Sequence, residues 1–154
     1  MYTREESSRL RQEFWTTFGR YMNPVPSAEG NKVNWINDHT GVSDVSFRMN
    51  ADGGEATIAI SLEHRDLATQ VLYFEKFSQL KTMLHTELQE AWSWQLHAEQ
   101  NNRVISRIYK TLPGVSVFNK EQWPDLISFF KLRIMALDRF WEHAKYGFEE
   151  LRTD

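Results

Sequence analysis

The feature that most restricts what this chain can become is a change in the spacing of its apolar residues. From residue 44 to 63 they recur at every second position. Val45, Phe47 and Met49, then Ala56, Ile58, Ile60 and Leu62, alternate with Asp44, Ser46 and Arg48, then Thr57, Ala59, Ser61 and Glu63. A period of two belongs to strands that bury one face. Asn50-Ala51-Asp52-Gly53-Gly54 between the runs is hairpin chemistry. A further strand is expected over residues 32–36, closed by the turn residues Asn37 to Gly41. The block therefore predicts a three-stranded meander with one apolar face and one polar face.

On either side the period lengthens to that of a helix. Over residues 4–22, Leu10, Phe14, Phe18 and Tyr21 or Met22 recur at steps of three and four, until Pro24 and Pro26 end the segment. Residues 66–90 repeat the pattern with Leu67, Val71, Phe74, Phe77 or Leu80, Leu84 and Leu88. Two more strands are expected, over 92–99 with Trp92, Trp94 and Leu96 on one face, and over 103–110. Residues 115–118 read as a short edge strand or a connector. A last helix starts near residues 121–124, with Asn119 as its N-cap, and runs toward residue 152.

The sum is an α+β fold of order α-βββ-α-ββ-α, with a mostly antiparallel sheet of about five strands and three flanking helices. A chain of 154 residues with no low-complexity linker is expected to form a single domain over 1–154. The net charge of −3 leaves no global basic field, so contact with nucleic acid would need a local patch. The absence of cysteine excludes thiolate catalysis and thiolate metal sites. The first residues lack the apolar run of a secretory signal, and no stretch reaches the length of a membrane span. A cytoplasmic protein that does not enter the membrane is the expectation.

Two patterns could carry chemistry. The first lies at the end of the meander. With Asn50 opposite Glu55, Asp44 faces Ser61 and Glu63 is the diagonal neighbour of Asp44 on the same polar face, roughly 7–8 Å away. Two carboxylates so placed could share a Mg²⁺ through hard oxygen ligands. His64 is a candidate base or ligand there, or else a surface residue at a strand end. Arg65 shares the face if the strand continues, and could neutralise a phosphate. The candidate catalytic set is thus Asp44, Glu63, His64 and Arg65, with Asp44 and Glu63 as the metal ligands. The second pattern is basic. Arg103, Arg107 and Tyr109 share a strand face and, with Arg48, could meet phosphates and stack bases. A solvated edge strand would use the same charges to resist aggregation.

The last helix carries a seam. Trp123, Ile127, Phe130, Ile134, Leu137 and Trp141 alternate steps of four and three, the heptad spacing of helix pairing. A helix of about 30 residues would be roughly 45 Å long, more than a domain of this size covers. A homodimer through that seam is therefore one expectation, and packing within the chain the other.

The order helix, strands, helix, strand, with an acid on the second strand and Glu63-His64-Arg65 on the third, resembles the PD-(D/E)XK nuclease core. That core binds Mg²⁺ through the two acids and positions a water with a lysine. Here Arg65 stands in the lysine position. A guanidinium stays protonated and is a poor base, so the resemblance implies a nuclease-like core that is degenerate as a catalyst, or a Mg²⁺-dependent nuclease if activity survives. Separately, the stretch Phe14-Trp15-Thr16-Thr17-Phe18-Gly19-Arg20-Tyr21-Met22, with Asn34-Trp35, Phe47-Arg48-Met49, Ile58 to His64 and Trp123-Pro124, resembles a bacterial family of unknown function. That family comprises small stand-alone proteins, and a similar module is sometimes fused to predicted nucleases. It implies no catalytic residues, and it suggests nucleic-acid association only by analogy. The alternative is a non-enzymatic protein-interaction module that dimerises through its long C-terminal helix.

Overall fold

The computed structural model describes residues 2–36 and 40–151. The elements in chain order are α1 (Arg4–Met22), β1 (Val45–Ala51), β2 (Glu55–Leu62), α2 (Leu67–Gln79), α3 (Lys81–Leu88), β3 (Ser93–Gln100), β4 (Arg103–Pro113) and α4 (Trp123–Ala144). Short 3₁₀ turns over Lys120–Gln122 and Lys145–Leu151 flank α4. The sheet is wholly antiparallel, in the order β1-β2-β4-β3. Among the described residues the order of elements is thus α-ββ-αα-ββ-α, with four helices and four strands rather than three and five.

Three departures have physical causes. The strand expected over 32–36 is a loop. Its apparent alternation arises because Val33 and Trp35 turn inward, with the Trp35 indole donating to the Val25 carbonyl at 2.9 Å. The expected turn residues Asn37, Asp38 and His39 lie outside the described residues. The long helix expected over 66–90 divides at Leu80, whose backbone leaves the helical region at φ −97° and ψ 11°. Its buried stripe is Gln70, Tyr73 and Phe77 rather than Leu67, Val71 and Phe74. In β3 a bulge between Gln95 and Ala98 sets His97 at φ 53° and leaves Leu96 exposed, so Leu96 does not continue the face of Trp92 and Trp94.

The core forms between the helices and one face of the sheet. Ala56, Ile58, Ile60 and Leu62 of β2 are all buried, and they join Phe14, Phe18, Phe77, Phe130, Phe140 and Phe148 in one cluster. α4 lies at the centre. Phe130 meets Phe14, Trp15 and Phe18 of α1, Phe140 meets Phe77 of α2, and Trp141 meets Phe47 of β1 and Phe77. Trp123, Phe130, Ile134, Leu137 and Trp141 of the seam are therefore buried within the chain, and Ile127 is half-buried against the same core. The heptad spacing arises from a central helix with neighbours on several sides. It does not leave a stripe for a second copy, so the homodimer expected through these six residues lacks its surface. Asn119 does act as a cap, though for the 3₁₀ turn ahead of α4, accepting from the Glu121 amide.

Candidate functional site

The other face of the sheet carries no helix among the described residues. It presents Ser46, Arg48 and Asn50 from β1, Thr57, Ala59 and Ser61 from β2, Arg107, Tyr109 and Thr111 from β4, and Ser93 and Gln95 from β3. The register sets these side chains in rows. Arg48 pairs with Ala59, which pairs with Tyr109, which pairs with Ser93. In the next row are Ser46, Ser61, Arg107 and Gln95. Ala59 and Ser61 are buried although no helix covers them, because long side chains stand on both sides of β2. The Arg107 guanidinium lies 3.8 Å from the centroid of the Tyr109 ring, and its Nε donates to Gln95 at 2.9 Å. That pair forms a flat polar and aromatic surface.

Glu63 organises the cations of this face. It lies just beyond β2, with its amide donating to the Asp44 carbonyl at 2.8 Å. The observed pairing is shifted by two residues from the expected register. Ser46 faces Ser61 and Asn50 faces Thr57, so Asp44 falls directly opposite Glu63 rather than opposite Ser61. Arg48 donates to both Glu63 oxygens at 2.9 Å. Arg103 donates to the Glu63 carbonyl at 3.1 Å and holds its guanidinium 4.0 Å from the carboxylate. Burial pushes the Glu63 carboxyl up. The hydrogen bonds from Arg48 and Ser61 and the charges of Arg48 and Arg103 outweigh it, and the group rests below its usual range.

This arrangement does not fit the Mg²⁺ that the sequence suggested. Both oxygens of Glu63 are occupied by one guanidinium, and Asp44 is exposed in the left-handed region at φ 63°. Among the described residues no group of three or more His, Asp or Glu stands in position to hold a metal ion. His64 does not join Glu63. Successive residues of a strand point to opposite faces, and His64 turns to the helix side, only 7% exposed, with its ring 4.3 Å from that of Tyr73. It is not the surface residue expected. Burial pushes its pKa down, against the opposing charges of Asp44, Asp66 and Glu63 and the nearby Ser43 backbone. Among the described residues neither ring nitrogen has a hydrogen-bond partner of good geometry. Arg65 is exposed and forms no ion pair among the described residues.

The structure thus brings Arg48, Glu63 and Arg103 together, sets Arg107 on Tyr109 on the same face, and separates His64 from them. Two residues were missed in the sequence. Gln95 had no signal, because its partner Arg107 is fixed only by the β3–β4 register. Gln70 had one: it is a polar residue in a helical apolar segment. Its amide donates to the carbonyls of His64 and Val104 at 2.6 and 2.7 Å and accepts from Ser106 at 2.8 Å, tying α2 to the ends of β2 and β4.

The fold and site define an α+β domain whose antiparallel sheet is covered on one face and carries arginines on the other. The chain belongs to the DUF4268 family, a domain of unknown function, whose family model matches residues 10–145. No curated protein and no solved structure matches it. No helix among the described residues is long and apolar enough to cross a membrane.

Proposed function

We propose that this domain is a non-catalytic module that binds single-stranded nucleic acid across the uncovered sheet face. The observation that supports this reading most is the sharing of that face by Arg48, Arg103, Arg107 and Tyr109, with no helix over them among the described residues. Arginines neutralise phosphates, and an aromatic or guanidinium plane stacks bases without regard to sequence. A flat sheet cannot enter a duplex groove as a helix does, and sheets with exposed aromatics suit unstacked strands. The nucleic-acid side of the nuclease comparison is kept. The catalytic side is not, because Arg48 occupies the carboxylate that a metal would need.

Three arginines on a chain of net charge −3 imply weak, salt-sensitive binding. With about −0.7 in logarithmic slope per phosphate, affinity should fall with a slope near −2 as salt rises. Fluorescence anisotropy with labelled oligo-dT and oligo-U tests this. The Arg107→Ala, Tyr109→Ala double variant should bind about tenfold or more weakly, since stacking contributes roughly 1–3 kcal/mol per base, while its melting temperature falls by only a few degrees. Equal affinity of variant and parent, or no binding at about 100 μM in low salt, the weak end of non-specific binding, would sink the proposal. Strand cleavage with Mg²⁺ or Mn²⁺ that disappears in Glu63→Gln would replace it with the catalytic reading.

A further inference from the structure

The sheet face ends in a depression that shares Glu63 and Arg103 with the surface described above and adds His64, Arg65, Leu67 and Val104 to it. β2 stops at Leu62, the chain passes through Glu63, His64 and Arg65, and α2 begins at Leu67 beside the start of β4. Glu63, His64, Arg65, Leu67, Arg103 and Val104 line an open pocket of about 430 Å³. That volume falls within the range of roughly 300–1,000 Å³ typical of small-ligand sites.

Its lining has two characters. Leu67 and Val104 are 43% and 38% exposed, so the pocket shows apolar wall to solvent. Arg65 and Arg103 both line it, the Arg103 guanidinium held at the Glu63 carbonyl. Two of the nearby carboxylates are already engaged: Glu63 by Arg48, and Asp66 by the Ala68 amide at 3.2 Å and the Thr69 hydroxyl at 2.8 Å in capping α2. Arg65 is the cation left without a partner among the described residues. An apolar wall beside a free guanidinium suits a ligand with a flat ring and an attached anion.

We propose that this pocket receives the terminal nucleotide of a bound strand, its base against Leu67 and Val104 and its terminal phosphate on Arg65 and Arg103. This rests on the sheet-face reading and extends it to the end of the strand. The pocket takes an end rather than a passing backbone because two acids flank it: Asp44, whose carbonyl accepts from the Glu63 amide across the sheet, and Asp66, which follows Arg65 in the chain. A continuing chain of phosphates would run against them, whereas a terminal phosphate stops at the arginines.

The test is anisotropy on the full chain with oligo-dT carrying a 5′-phosphate, a 3′-phosphate or hydroxyl ends only, and with a circular oligo-dT. One phosphorylated end should bind about tenfold tighter than the hydroxyl-ended strand, the size of one charge-assisted contact. Arg65→Ala, an exposed substitution, should erase that difference and leave hydroxyl-ended and circular strands bound as before. Equal binding of all strands would overturn the end-capture proposal while leaving the sheet-face reading intact. So would a uniform loss across all strands in Arg65→Ala, which would make Arg65 one more backbone contact. Failure of every strand to bind would overturn both.

Discussion

The two faces of the one sheet are built from alternate residues of the same strands, yet they are held by different forces. On the covered face Ile58, Ile60 and Leu62 are closed off from water by the aromatic side chains of the helices. Their contribution is apolar burial, which is large and tolerates no cavity. On the uncovered face order comes from polar pairing: Arg48 on Glu63, Arg107 on Gln95 and Tyr109, and the Thr57 and Thr111 hydroxyls 3.3 Å apart. Half-buried polar pairs of that kind contribute less each to stability than a fully buried apolar side chain. A face that adds less to the fold can keep arginines and a tyrosine for another purpose.

The contrast can be broken most sharply at two positions one strand apart. Ile60→Ala on the covered face should cost about 2–5 kcal/mol, because removal of a buried isoleucine leaves a cavity between β2 and α4. Tyr109→Ala on the other face should cost only about 0.5–1 kcal/mol, by losing the Arg107 contact. Denaturant titration of both variants decides it. Comparable losses would mean that the uncovered face is structural, and the case for a binding surface there would fall.

A smaller effect is expected where the two faces join. Gln70 is fully buried, and its amide serves the carbonyls of His64 and Val104 and the hydroxyl of Ser106, which in turn accepts from the His97 amide at 3.0 Å. Gln70→Leu keeps the volume but leaves those groups without partners, at a cost of about 1–3 kcal/mol. Hydrogen exchange should show faster opening of residues 62–66 and 103–106 than of the β1–β2 hairpin. Uniform destabilisation without that local pattern would show that the network is not what holds this junction.

How much of this was legible follows from how local the signals are. The α1, β1, β2 and β4 segments carry their period and their stop residues within a short stretch, and they form where expected. The division at Leu80 has no proline or glycine to announce it. It lets α2 pack on the sheet and α3 on α4, a demand of the tertiary fold alone. The loop at 32–36 alternates like a strand because Val33 and Trp35 both point inward, and periodicity cannot reveal that no strand lies beside it. The spacing in α4 marks the seam as apolar but does not name its partner: a helix at the centre of a domain and a helix in a dimer bury the same spacing. At the site, parity placed Arg103, Arg107 and Tyr109 together. The two-residue slip of the β1–β2 register, set by a tighter turn at Asp52 to Gly54, hid the fact that Glu63 lies within reach of Arg48.

The smallest expected effect is in the pH dependence, and it sharpens the same contrast, because Glu63 and His64 are neighbours pointing to opposite faces. His64 is buried against Tyr73, and its pKa in the fold lies below its value in the unfolded chain, near 6.5. The unfolded state therefore takes up the proton first, and stability should decline as the pH falls from about 7 through 6.5 toward 5. Glu63 shifts in the same downward direction, but for a carboxyl the loss begins only as the pH falls below the unfolded value near 4.3. The interval from pH 7 to 5 thus separates His64 from Glu63, with Asp44, Asp66 and Glu63 opposing the effect of burial on His64. Thermal melts should show a fall of a few degrees over that interval, and His64→Phe, which keeps a ring on Tyr73 without a titrating nitrogen, should flatten it. An unchanged slope in that variant would assign the pH dependence to another group and leave the covered face, at this end of β2, apolar in effect as well as in position.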